Sequence, residues 1–172
     1  MDAARIARFT NRSARKRRTS VPFARVHAWL YRASGGRLGR RWFGAPVLVL
    51  ETVGRKTGEP RATPVLFALH DGDPVVLAAN AGARRAPAWW LNLREAGRGV
   101  AVIGGERREV APRVAEGAER EELWERLCRV YPAAAHYPSF TDRELPVVVL
   151  ERGPSGTRDG AVRQTPIPSE SF

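Results

Sequence analysis

The stretch PVLVLETVGRKTGEPRATPVLFALHDGDPVVLAA, residues 46–79, decides the fold. Val47–Glu51 is an aliphatic run, the mark of a buried strand. Thr63–His70 and Pro74–Ala79 flank Asp71-Gly72-Asp73 and read as a hairpin whose glycine supplies the turn conformation. Further along, Val100–Ile103 and Arg107–Val114 flank Gly104-Gly105-Glu106 and predict a second hairpin, and Pro146–Glu151 supplies a last strand. Between them, Pro87–Arg94 reads as a short helix with proline in its first turn. Gly117–Val130 is the clearest helix, with Leu123, Leu127 and Val130 along one stripe. About six short strands, mostly in hairpins with helices inserted, predict an α+β chain built mainly of β: a compact antiparallel barrel. A doubly wound sheet would need regular strand–helix alternation, which this order lacks.

Upstream of this body the texture is basic. The chain of 172 residues carries 29 Lys and Arg against 18 Asp and Glu, a net charge of +11. Residues 1–45 hold twelve basic residues and one acid, so residues 46–172 balance at 17 of each. The arm therefore carries the whole imbalance. Arg5, Arg8, Arg12 and Arg15 recur at helical spacing, but Ile6 and Phe9 offer little apolar surface to hold a helix alone. Residues 1–21 are expected to be a basic arm, disordered or helical. After Pro22, the residues Phe23, Val26, Leu30 and Ala33 share one face, predicting an amphipathic helix over 22–34. It packs on the body or lies on an anionic membrane surface. Residues 22–152 form the expected domain, and 153–172, rich in Gly, Pro, Ser and Thr, a disordered tail. A single cysteine, no apolar run of bilayer length and no signal-like apolar region point to a cytoplasmic protein, soluble or peripheral at the membrane.

Several chemistries are excluded. CxxC, HExxH and EF-hand patterns are absent, and His27, His70 and His136 stand far apart, so no metal site is expected. GxSxG and GxGxxG are absent as well. Residues 52–58, TVGRKTG, imitate a phosphate-binding loop, but Arg55 separates Gly54 from Lys56 and position 49 is Val. A neutral body without a base-reading module argues against nucleic acid as the partner.

Three segments retain chemical content. GRKTGEPR, residues 54–61, is a glycine-bracketed turn that projects Arg55, Lys56, Thr57 and Arg61 into a small volume, an anion-binding constellation. AANAG, residues 78–82, followed by PAWWLN, residues 87–92, combines small residues, an aromatic pair and the Asn92 amide, which suits a planar heterocycle. YPAAAHY, residues 131–137, places two phenols and an imidazole after the long helix, where they could line a substrate mouth and donate a proton. Taken singly, these segments read equally as a solvated turn, packed core tryptophans and an aromatic helix end.

Their order carries more than any one of them. The aliphatic strand, GRKTGEPR, TPVLF, the DG hairpin, AANAG, PAWWLNL and VYPAAAHYPSFTDRELPVVVLE together resemble the deazaflavin (F420)-dependent nitroreductase and quinone reductase family. The resemblance spans about Pro46 to Glu151. It implies a split β-barrel of the FMN-binding type and coenzyme F420 as cofactor, with FMN as the lesser alternative. Reduced F420 would pass a hydride to an electron-poor small molecule, a quinone or a nitro compound. A flavin, deazaflavin or haem carrier without turnover is the alternative function. Residue by residue, the resemblance assigns the phosphate and acidic tail of the cofactor to Arg55, Lys56, Thr57 and Arg61. It lays Ala62, Thr63, Pro64, Val65 and Leu66 along the cofactor. Ala78, Ala79 and Asn80 would touch the ring, and Pro87, Ala88, Trp89 and Asn92 would wall it. Leu66, Tyr131, Ala134 and Tyr137 would line the substrate side. Leu66 and Ala79 stand where some relatives place a hydroxyl, which weakens any polar grip on the acceptor.

Overall fold

The computed structural model describes residues 2–15, 41–42 and 44–153. The helix expected over 22–34 and the tail from residue 154 lie outside the described residues. Helix α1 spans Ala3–Arg15, strand β1 Arg41–Trp42, β2 Ala45–Val53, β3 Pro60–His70 and β4 Asp73–Leu77. Helix α2 spans Ala88–Ala96, β5 Gly99–Ile103, β6 Glu106–Val114, α3 Gly117–Val130 and β7 Val147–Arg152. Short 3-10 segments cover Asn80–Gly82 and Pro132–Phe140.

All pairings are antiparallel and run β2-β3-β4-β7-β6-β5, and β5 returns to β2 through Val49↔Val102 and Leu50↔Ala101. The sheet is thus a closed six-stranded barrel, with β1 added at the start of β2. Two-residue loops make both predicted hairpins tight. Asp71 (φ 51°) with Gly72 (φ 84°), and Gly104 (φ 59°) with Gly105 (φ 94°), carry the paired positive φ that matches strand twist.

Alternation along the strands sends Leu48 and Leu50, Val65 and Phe67, Val76, Ala101, Val110, Val148 and Leu150 into one buried core. Trp89, Trp90 and Leu93 of α2 join it, so α2 closes one mouth of the barrel. On the outside, Leu123 and Leu127 of α3 pack on Ala68, Val75, Val147 and Val149. The basic arm does not stand apart over its first residues: Ala7 of α1 is wholly buried, in one cluster with Ala79, Tyr131, Ala133 and Tyr137. Tertiary packing therefore supplies what Ile6 and Phe9 could not. No helix among the described residues is long and apolar enough to cross a membrane.

Candidate functional site

The loop between β2 and β3 is built around Gly54. Its carbonyl accepts from the N–H groups of Thr57 (3.0 Å) and Gly58 (2.7 Å), and its own N–H donates to the Glu59 carbonyl (2.8 Å). A Cβ at Gly54 would lie 2.9 Å from Thr57 Oγ1 and 3.2 Å from the Glu59 carbonyl oxygen, so the loop closes only around glycine. Three of the four residues expected to bind an anion, Arg55, Lys56 and Thr57, stand on this loop, and Arg61 follows at the start of β3. Arg61 Nη2 donates to Glu59 Oε2 (2.7 Å) and Thr57 Oγ1 (3.3 Å), while Lys56 is exposed with no acidic partner among the described residues. Arg55 donates from both its backbone N–H (3.3 Å) and Nη1 (3.2 Å) to Asn92 Oδ1.

Asn92 departs from its expected part. It is buried, its oxygen accepts from Arg55, and Nδ2 donates to Thr52 Oγ1 at 3.4 Å. The amide fastens α2 to the loop. Trp89 and Trp90 are likewise core residues, in edge-on contact with ring centroids 6.3 Å apart. Pro87 precedes α2 in extended conformation, and Ala88 opens the helix on the exposed side. The five β3 residues divide between two faces. Val65 lies in the barrel core, with Thr63 on the same side by alternation, whereas Ala62, Pro64 and Leu66 belong to the outer side.

Where AANAG was expected to end a strand, β4 stops at Leu77 and the chain turns sharply. Ala79 is right-handed (φ −86°), then Asn80 (φ 49°), Ala81 (φ 52°) and Gly82 (φ 73°) are left-handed in succession. Non-glycine residues in that region cost about 1–2 kcal/mol each, so the surroundings must hold them. Arg143 does so from one side: Nη1 donates to the Ala78 carbonyl (3.2 Å), and Nη2 to those of Ala79 (2.8 Å) and Ala83 (3.3 Å). Burial pushes the Arg143 guanidinium below its ordinary pKa. Asn11 of α1 holds the other side, donating to the Ala81 carbonyl at 2.7 Å, and Asn80 Nδ2 donates to the Arg85 carbonyl at 2.9 Å. Sequence reading missed Arg143 and Asn11. The one available signal was the left-handed preference of Asn and Gly in AANAG, which marks a turn that something must brace.

Leu66, Ala79, Tyr131, Ala134 and Tyr137 meet in a single apolar cluster that α1 roofs with Ile6 and Ala7. The two phenols are buried inside it, unlike the open mouth expected; His136 is exposed and outside it. Tyr137 Oη donates to Tyr131 Oη (3.3 Å), and Thr10 Oγ1 of α1 lies 3.4 Å from Tyr137 Oη. Burial, with a smaller push from Tyr131, raises the Tyr137 pKa far above that of a free phenol. Tyr137 therefore stays protonated at physiological pH. The unfolded chain can ionise this phenol above pH about 10 and the folded one cannot, so stability is expected to fall by about 1.4 kcal/mol per pH unit there. Urea unfolding of wild-type and Tyr137→Phe protein between pH 9 and 11 checks this, the variant showing the shallower decline.

Comparison with known proteins bears on the whole arrangement. The family model for F420H(2)-dependent quinone reductase matches residues 12–152. The F420H(2)-dependent quinone reductase Rv1261c of Mycobacterium tuberculosis is 36% identical over 146 residues, which span 80% of this chain and 95% of that protein. Among solved structures, an F420-H2 dependent reductase (FDR-A) superposes with TM-score 0.57 at 29% identity, over 62% of this chain and 94% of its own. A domain-swapped dimer superposes with TM-score 0.59 at 25% identity, over 77% of this chain and all of its own. The matched span contains the anion loop, the left-handed turn and both tyrosines of the apolar cluster, and the chain belongs to the F420H(2)-dependent quinone reductase family.

Proposed function

We propose that this oxidoreductase moves a hydride from reduced F420 to a quinone, with the anion loop holding the phosphate and acidic tail of the cofactor. When bound, F420 supplies the two-electron hydride chemistry. The chain's own residues supply binding, orientation and dryness. Lys56 and Arg61 meet negative charge, and Ala79 and Asn80 bring bare backbone to the ring. The apolar cluster of Leu66, Ala79, Tyr131, Ala134 and Tyr137 is the observation that carries the reading. Where that cluster reaches the surface, at half-buried Leu66 and Ala81, a flat, uncharged acceptor gains from desolvation.

The same cluster favours quinones over nitro compounds. Leu66, Ala79 and Ala134 offer no hydroxyl, and the two phenols are engaged with each other and Thr10. Anaerobic mixing of protein, reduced F420 and a short-chain naphthoquinone, followed by the reappearance of oxidised F420, is expected to give multiple turnovers. Catalytic efficiency with a nitroimidazole should be at least about tenfold lower, the scale of one unmade acceptor hydrogen bond. A single stoichiometric oxidation, with no turnover on any quinone, would identify a carrier and overturn the enzymatic reading.

The outer face of α1 suits a membrane that stores a lipid-soluble acceptor. Phe9 is 66% exposed, and Arg5, Arg8 and Arg12 beside it are exposed with no acid in pairing distance among the described residues. Each basic residue near an anionic surface contributes about 1 kcal/mol, so replacing all three by Gln should weaken co-sedimentation with phosphatidylglycerol vesicles about a hundredfold. Equal binding to neutral and anionic vesicles would contradict the proposal.

A further inference from the structure

We propose that Arg143 is a positioning residue for the cofactor ring, acting through the left-handed turn at Asn80–Gly82; this rests on the F420 reading above. Three observations carry it. First, the guanidinium meets no carboxylate among the described residues and is given over to main-chain carbonyls: those of Ala78, Ala79 and Ala83, with Glu144 as the fourth at 2.8 Å. A surface arginine used only for solubility would not be half-buried on four carbonyls, with Nε buried and unpaired as well.

Second, the turn it braces is strained and small. Asn80 and Ala81 are non-glycine residues at positive φ, side by side. Strain of this kind persists only where surrounding contacts over-determine it, and it concentrates at ligand sites.

Third, the brace orders the other side of the turn. Ala79 is right-handed and Asn80 left-handed, the dihedral sequence that turns successive N–H groups toward one concave side. The N–H groups of Ala79, Asn80 and Ala81 find no acceptor among the described residues, whereas those of Gly82 and Ala83 close the turn on Ala79 and Asn80. With the carbonyls of Ala78, Ala79 and Ala83 collected by Arg143, that of Ala81 by Asn11 and that of Asn80 by the Ala83 N–H, the turn offers three main-chain donors to a ligand. That chemistry fits the electron-rich carbonyl edge of a deazaflavin. The fork of Arg is what makes this possible, because it reaches several carbonyls in one plane where an ammonium cannot.

The test separates ring from tail. Full F420 and its riboside, which lacks the phosphate and glutamate tail, are titrated against wild type, Lys56→Ala, Arg143→Gln and the double variant Arg143→Gln/Ala81→Gly, with thermal midpoints recorded in parallel. Lys56→Ala is expected to weaken full F420 alone. Arg143→Gln should weaken both ligands by the same factor, about tenfold, since the loss lies at the ring. Glycine at position 81 removes the left-handed penalty, so the double variant should regain most of that affinity. Arg143→Gln protein that is folded and binds both ligands like wild type overturns the proposal. So does a loss that Ala81→Gly leaves untouched, which would mark Arg143 as a brace for the fold alone. If Arg143→Gln does not fold, Arg143→Lys, which keeps the charge but not the fork, is judged by the same criteria. Wild type that binds neither ligand overturns the cofactor reading itself, and this inference with it.

Discussion

A Lys56→Ala/Arg61→Ala double variant is expected to bind F420 about a hundredfold more weakly than wild type while keeping its fold. Two charge-assisted hydrogen bonds are lost, each contributing about 1.5–3 kcal/mol, and about 1.4 kcal/mol corresponds to a factor of ten; screening at an exposed loop holds the sum near the lower end. The two side chains differ in readiness. Lys56 has no acid to leave among the described residues. Arg61 must leave Glu59, but both partners of that 2.7 Å bridge are largely exposed and exposed pairs contribute little. Glu59→Gln should therefore tighten F420 binding modestly by freeing Arg61. The affinity of wild type should fall with ionic strength, and that of the double variant much less. Unchanged affinity in the double variant would move the phosphate site elsewhere.

Gly82→Ala should be the most damaging glycine-to-alanine change among the described residues. A Cβ there would lie 2.8 Å from the Tyr137 carbonyl oxygen and 3.1 Å from Phe140 Cβ, at a backbone φ of +73°. Neither neighbour is the free end of a flexible chain, so the clash falls on the backbone of the tyrosine segment. Overpacking of this kind costs about 1–3 kcal/mol and the left-handed conformation about 1–2 kcal/mol more. A thermal midpoint roughly 10 °C lower follows, at about 2–4 °C per kcal/mol for a domain of this size. Gly97→Ala is the control. Its φ is +66° with no atom within 4 Å, so strain acts alone and the drop should be a little under half as large. Because Gly82 joins the turn to the tyrosine cluster, surviving Gly82→Ala protein should also lose F420 affinity. Equal midpoints for the two variants would show that the contact at Tyr137 is not tight.

The parts of the fold that were legible in the sequence are the local ones. DG and GG turns between aliphatic runs set both hairpins, and the Leu123–Leu127–Val130 stripe set α3. The anion loop was legible for the same reason, since Arg55, Lys56, Thr57, Arg61 and two glycines lie within eight positions. Contacts between distant segments were not. Nothing local says that β5 returns to β2, which makes the sheet a barrel and not an open meander. Nor does a lone Arg143 announce that it will hold carbonyls about sixty residues earlier. Asn92 and Trp89 suit a planar ligand by their chemistry and by the family resemblance, but their packing was not legible: in the structure the amide meets Arg55 and Thr52, and the indole lies in the barrel core. For α1, low apolar content concealed docking by a few small contacts: Ala7, whose bare Cβ permits close approach, and the polar tips of Thr10 and Asn11. The tyrosine motif was found but its environment was not, because burial under α1 depends on a helix more than a hundred residues away.

Fluorescence titration of the purified protein with oxidised F420, run beside FMN, tests the central claim most directly. Trp89 and Trp90 close the barrel next to the anion loop, tied to it through Asn92 and Arg55, and so report binding there. Saturable quenching by F420 at low micromolar concentration or below, with FMN far weaker, is the predicted result. Tight binding of FMN with no response to F420 would contradict the account, leaving the barrel in place but removing both the cofactor and the hydride chemistry assigned to it.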